Sequence, residues 1–113
     1  MYSTEEAKTI ATTIMQQIGS RFVPMIGAYN LASHPEGALS FRFKAQAAKV
    51  NGKRPNWIKV TLDPNDTYKV EFGRIRGLDF AILETLEGVY CDQLAPMIEE
   101  TLQLRLSLGR MAA

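Results

Sequence analysis

Apolar residues near the start of the chain recur at helical spacing. Ala7, Ile10, Ala11, Ile14 and Ile18 fall on one stripe, opposite Lys8, Thr9, Thr12 and Gln16. Ser3 stands three residues before Glu6, the spacing of a capping box, and Glu5 lies at the positive end of the helix dipole. With Gly19 as the left-handed stop, the spacing predicts a helix from Thr4 to Ile18.

After Gly19 the period changes from 3.6 to 2. "RFVPMIGAYNL" is apolar enough for a strand, but Pro24 removes a ladder donor and Gly27 suggests a bulge, so an edge or irregular strand is predicted. Three cleaner alternations follow. Leu39, Phe41 and Phe43 oppose Ser40, Arg42 and Lys44; Ile58, Val60 and Leu62 oppose Trp57, Lys59 and Thr61; Tyr68, Val70 and Phe72 oppose Lys69 and Glu71. Between the last two, "DPNDT" places Asp63 and Pro64 at the first two positions of a type I turn, which predicts a hairpin. "AQAAKVNGKRPN" is a longer connection, with its sharpest turn signal at Asn51 and Gly52.

"LDFAILETLEGVY" suits strand or helix by periodicity; Gly88 would interrupt a helix, which favours a strand near Phe80 to Leu86. "CDQLAPMIEETL" predicts a helix capped near Asp92, with Leu94, Met97, Ile98 and Leu102 on one side and Pro96 in or near its first turn. "LQLRLSL" alternates Leu102, Leu104, Leu106 and Leu108, a pattern for a short strand or an ordered tail. The order predicts a two-layer α+β domain over residues 1–113: an N-terminal helix, an antiparallel β-meander of about four to five strands and a C-terminal helix, with the helices on one sheet face.

Composition narrows the setting more than the function. A chain of 113 residues, 46% hydrophobic and 22% charged, has the make-up of one globular domain. Cys91 is the single cysteine, so an intrachain disulfide is excluded and a reduced, cytoplasmic setting is expected. The N-terminal segment has two acids before its first base and does not read as a secretory signal. No run approaches the length of a membrane span, and no membrane partner is expected.

Catalytic signatures are sparse. His34 is the lone histidine, in the loop-like "NLASHPEGAL", which disfavours a histidine metal site or a nucleophilic triad. Cys91 precedes a predicted helix, where a lowered thiol pKa is conceivable, but a small packed side chain is the simpler reading. "EFGRIRG" has neither a dinucleotide fingerprint nor a phosphate loop, and Gly73 within it marks a bulge. "LDPNDT" lacks the later glutamate of a calcium loop. A non-enzymatic protein without metal or cofactor is expected.

The charge distribution is more informative than the net charge of +1. Residues 37–62 carry Arg42, Lys44, Lys49, Lys53, Arg54 and Lys59 and no acid, whereas residues 77–104 carry Asp79, Glu84, Glu87, Asp92, Glu99 and Glu100 and no base. On the predicted strands Arg42, Lys44, Lys59 and Lys69 project away from the core with Trp57 among them, and Lys49, Lys53 and Arg54 occupy the adjoining loop. Cations around an aromatic can neutralise phosphates and stack a base, so these eight residues are the candidate nucleic-acid site. The plain alternative is that outward strand positions favour Thr, Lys and Arg in any case, and that the acidic second helix lies alongside and neutralises them. A polarised surface also suits docking on a protein or nucleoprotein complex, or head-to-tail homo-oligomerisation.

At "YKVEFGRIRG" and "EGVYCDQL" the chain resembles a family of small proteins of unassigned function carried by phages, plasmids and integrated mobile elements. The resemblance runs from Phe22 to Leu108 through "MIGAYNL", "LSFRFK", "IKVTLDPNDTYKVEFGRIRG" and "EETLQLRLSL". Two positions depart from the pattern: Leu102 stands where the family has a glycine, and Pro96 interrupts the stretch after "DQL", which bears on where the last helix begins and ends. The resemblance implies context rather than chemistry. In that context the expected function is an accessory protein that binds nucleic acid or a complex handling it. The alternative is an inhibitor of a host defence protein, such as a CRISPR surveillance complex or a restriction enzyme, with Asp79, Glu84, Glu87, Asp92, Glu99 and Glu100 imitating phosphates.

Overall fold

A computed structural model describes residues 2–19, 27–44, 50 and 52–102. The expected α+β architecture is present. Helix α1 (Thr4–Ile18) is followed by strands β1 (Tyr29–His34), β2 (Ala38–Arg42), β3 (Trp57–Leu62), β4 (Tyr68–Arg76) and β5 (Asp79–Val89), then by a 3-10 turn (Cys91–Gln93) and helix α2 (Leu94–Leu102). The five strands form one antiparallel meander in the order β1-β2-β3-β4-β5.

The start of α1 follows from its cap. The Ser3 hydroxyl accepts from the Glu6 N–H, and the Glu6 carboxylate accepts from the Ser3 N–H, so two otherwise orphaned donors are satisfied. The Ser3 N–H first, and the Ser3 side chain after it, hold the Glu6 carboxyl below its ordinary pKa. Ala7, Ala11, Ile14 and Ile18 are buried on the stripe expected for them.

Both helices pack on one face of the sheet. Ile14 and Ile18 from α1, and Leu94, Ile98 and Leu102 from α2, share one core with Phe41, Phe43, Ile58, Val60, Val70 and Phe72. Fully burying side chains of this size contributes about 1.5–3 kcal/mol each. Tyr68 also enters this core, and its phenol donates to the Gln17 side chain of α1. Burial is the main reason that its pKa is raised.

Several expectations need correction. The first strand is Tyr29–His34, later than "RFVPMIGAYNL" suggested; residues 20–26 lie outside the described set. Its irregularity is real: the pairing with β2 shifts between Tyr29 and Ala32, around Asn30 at φ 55. His34 ends this strand instead of sitting in a loop: it pairs with Ala38 on β2, and its Nε2 lies 2.7 Å from the Ser40 hydroxyl. Asp92 does not cap the second helix. It lies inside the 3-10 turn, and α2 begins at Leu94 with Pro96 in its first turn, where a missing N–H costs nothing. β5 is longer than Phe80 to Leu86, and the "LQLRLSL" pattern lies beyond Leu102, outside the described residues.

The end of the sheet has a particular construction. β3 pairs with β4 only as far as Trp57 and Gly73, yet β4 and β5 continue through the pairs Arg74–Ala81, Ile75–Phe80 and Arg76–Asp79. This two-stranded arm turns through Gly77 and Leu78. Gly77 has φ 62 while Leu78 does not share the positive φ, the pattern of a type II′ hairpin turn. At the arm's base Asn56 substitutes for a strand residue. Its Oδ1 accepts from the Ile75 N–H and its Nδ2 donates to the Ile75 carbonyl, both at 2.8 Å.

Replacing Asn56 with Ala leaves both Ile75 backbone groups without that partner. The expected loss is about 1–3 kcal/mol, with faster hydrogen exchange at the Ile75 amide than at the Val70 amide. Equal protection at Ile75 in both proteins would show that Asn56 does not hold the arm.

Candidate nucleic-acid interface

Because both helices cover one face, the outward positions of the strands form the other. Cross-strand register arranges them in three rows. The first is Tyr29–Arg42–Trp57–Gly73–Ile82, the second Ala32–Ser40–Lys59–Glu71–Thr85, and the third His34–Ala38–Thr61–Lys69. Rows two residues apart are separated by about 7 Å along the strands.

The first row concentrates the candidate chemistry. The Arg42 guanidinium lies 5.8 Å and the Lys44 ammonium 5.2 Å from the centre of the Tyr29 ring, so Tyr29 gathers both cations. Arg42 Nε is buried without a hydrogen-bond partner. Beside Arg42, Trp57 is half-buried and meets Phe80 edge to face, with ring centroids 4.9 Å apart and planes at 85°. Gly73 makes this pairing possible. A Cβ there would lie 2.8 Å from Trp57 Cε3 and 2.9 Å from Phe80 Cε1, so the absence of a side chain lets the two rings close over the strand. The bulge expected at Gly73 is present, since the β4–β5 register shifts between Phe72 and Gly73.

The other predicted cations are distributed unequally. Lys59 donates to Glu36 Oε2 at 2.6 Å and faces Glu71 across the strand, so its charge is already answered. Glu36 is held below its ordinary pKa chiefly by that lysine. Lys69 lies four residues from Gly73, about 13 Å along β4. Lys53 exchanges two backbone hydrogen bonds with Val50, and the Arg54 carbonyl accepts from Arg74 Nη1 at 2.7 Å, which ties this loop to the base of the arm. Lys49 lies outside the described residues.

The acidic set lies elsewhere. Asp79, Glu84 and Glu87 belong to edge strand β5, Asp92 to the 3-10 turn, and Glu99 and Glu100 to α2. Since α2 is on the core side of the sheet, it does not cover Arg42 or Lys44. Tyr29, Phe80, Ile82, Arg74 and Arg76 were not among the residues expected from the sequence. Their place depends on register: the tight turn at Gly77 and Leu78 sets Ile75 opposite Phe80 and Gly73 opposite Ile82, and the register shifts only beyond Gly73.

Among the described residues there is no group of three or more His, Cys, Asp or Glu side chains placed to hold a metal ion, and no helix long and apolar enough to cross a membrane. No family model, no curated protein and no solved structure matches the chain.

Gly73→Ala is expected to force Trp57 and Phe80 apart. Denaturant melts followed by Trp57 emission should show a loss of about 1–3 kcal/mol, with red-shifted native emission; an unshifted spectrum would mean that the rings do not need the glycine. The Glu36–Lys59 pair has a pH signature of its own. A depressed carboxyl pKa stabilises the fold above the ordinary glutamate value, and that stabilisation is lost as pH falls through the depressed one. Glu36→Gln should therefore flatten the acid limb of a stability–pH curve, by less than about 1 kcal/mol because the pair is near the surface.

Proposed function

We propose that this protein binds single-stranded nucleic acid across the sheet face away from both helices, without catalysing a reaction on it. The carrying observation is the row Tyr29–Arg42–Trp57–Gly73–Ile82, which sets two aromatic rings and a guanidinium side by side on the sheet face away from both helices. Trp57 and Phe80 offer the apolar ring surface on which a base stacks, while Arg42 and Lys44 meet the phosphates. Stacking accepts any base, so affinity without strong sequence preference follows from this chemistry. Lys59 and Lys69 act at longer range, and Lys53 and Arg54 extend the positive surface toward the arm. A cytoplasmic accessory protein of a mobile element, the context its resemblance implies, would meet such strands during transfer or replication.

One observation favours a second reading. Leu78, Phe80 and Ile82 are 106%, 52% and 43% exposed, an apolar stripe beside the acids Asp79 and Glu84. Such a stripe suits contact with a protein, including a host defence complex or a second copy of this chain.

Titrating Trp57 fluorescence with a short single-stranded DNA and its RNA counterpart tests the proposal. Quenching should weaken with salt, with a log–log slope of about −0.7 per phosphate neutralised. Arg42→Ala and Lys44→Ala should each make the slope shallower by a similar step. Trp57→Ala, followed by anisotropy of a labelled strand, should cost about 1–3 kcal/mol of affinity. No binding at low salt would overturn the proposal and leave the protein-contact reading in place.

A further inference from the structure

The first row is uneven along its length, and the unevenness bears on which part of a strand it takes. Its cations stand together at one end, with Arg42 and Lys44 over the Tyr29 ring. Past Trp57 the outward positions of the row and of the arm are Gly73, Ile75, Phe80 and Ile82, none of them charged. Arg74 and Arg76 alternate onto the helix side, where Arg74 donates to the Arg54 carbonyl and Arg76 stands opposite Asp79. β5 then closes the sheet with Asp79, Glu84 and Glu87 along its edge, whereas β1, the opposite edge, carries no acid.

Resting on the proposed function, we infer that the site holds the hydroxyl-terminated end of a single strand, not an internal stretch. The terminal base lies against Trp57 and Phe80, its phosphate meets Arg42 and Lys44, and the rest of the strand leaves over β1. A strand continuing the other way would cross from Arg42 to Ile82, three strand spacings or about 14 Å. That crossing sets further phosphates over an apolar surface, where none of the outward positions supplies a cation to offset their desolvation. They would then approach Glu84, two residues or about 7 Å beyond Ile82 along β5, within the Debye length of about 8 Å at physiological salt. Only the last nucleotide can place a base here with no phosphate following it. Phe80 and Ile82, 52% and 43% exposed, offer apolar surface to the base face that has no next base to stack on.

The test is fluorescence anisotropy with one single-stranded DNA sequence carrying an internal fluorophore, linear and ligated into a circle, at near-physiological salt. The linear strand should bind about tenfold or more tightly than the circle. A phosphate added to one of its two termini, 3′ or 5′, should remove that advantage, and the terminus affected gives the polarity. Lengthening the linear strand should leave the stoichiometry at one protein per strand. Glu84→Lys combined with Glu87→Lys should strengthen binding of the circle and narrow the gap. Lysine keeps the edge charged against pairing with other chains, and a thermal melt checks that the fold is kept. Equal affinity for circle and linear strand, with Arg42 and Trp57 still required, would overturn the strand-end inference and leave the single-strand reading standing. No effect of a phosphate at either terminus would do the same. Absence of binding to both DNAs, at low salt as well, would overturn both readings.

Discussion

The structure depends on one-sided burial of an antiparallel sheet. Five strands must hide one row of apolar side chains from water, and two helices on the same face are enough to do so. An antiparallel sheet tolerates this because its ladder satisfies the backbone on both faces, leaving only side chains to decide which face is wet. The result is a second face whose composition the core does not dictate, although Ala38 and Ser40 on it are also buried. On that surface a tryptophan, a tyrosine and several cations have no packing obligation as strong as that of Phe41 or Phe72, which are fully buried.

Charge placement follows the same division. β5 is an edge strand, and edges that present charge resist pairing with other chains. Asp79, Glu84 and Glu87 satisfy that need without any ligand. The central strands have no such need. Arg42 lies between Tyr29 and Trp57 in the register, where edge protection explains nothing and a guanidinium must be desolvated in part. A position that costs something and protects nothing in the fold is better evidence for a ligand than an exposed lysine on a solvated face.

Much of this could be read from the sequence where the period was strict. The capping box at Ser3 and Glu6, the helix to Ile18, and the alternations around Val60 and Val70 are all local signals, and the structure agrees with each; in β2 Leu39 and Phe41 are buried as expected, but Ser40 between them is buried too. The failures were of two kinds. "YNLASH" has little β propensity of its own and is a strand because β2 supplies its partner, so Tyr29 could not be placed beside Arg42 from local pattern. The partners of Trp57 were hidden for a different reason. The turn at Gly77 and Leu78 sets Phe80 opposite Ile75 and Ile82 opposite Gly73, whereas counting back along β5 from Leu86 misplaces both, because the register shifts between Phe72 and Gly73.

The irregularities also explain why the site lies at this end of the sheet. In the interior, Gly73 would weaken a strand, since it packs nothing and adds chain entropy on unfolding. Here its missing side chain is filled by the rings of Trp57 and Phe80 from the neighbouring strands. β3 stops at Trp57, so the rungs beyond it would be expected to fray as a lone hairpin. They are retained by one side chain, Asn56, that copies the hydrogen bonding of the missing strand. Glycine and asparagine, weak strand residues by propensity, are therefore what lets the sheet end in a firm two-stranded arm beside its aromatic surface.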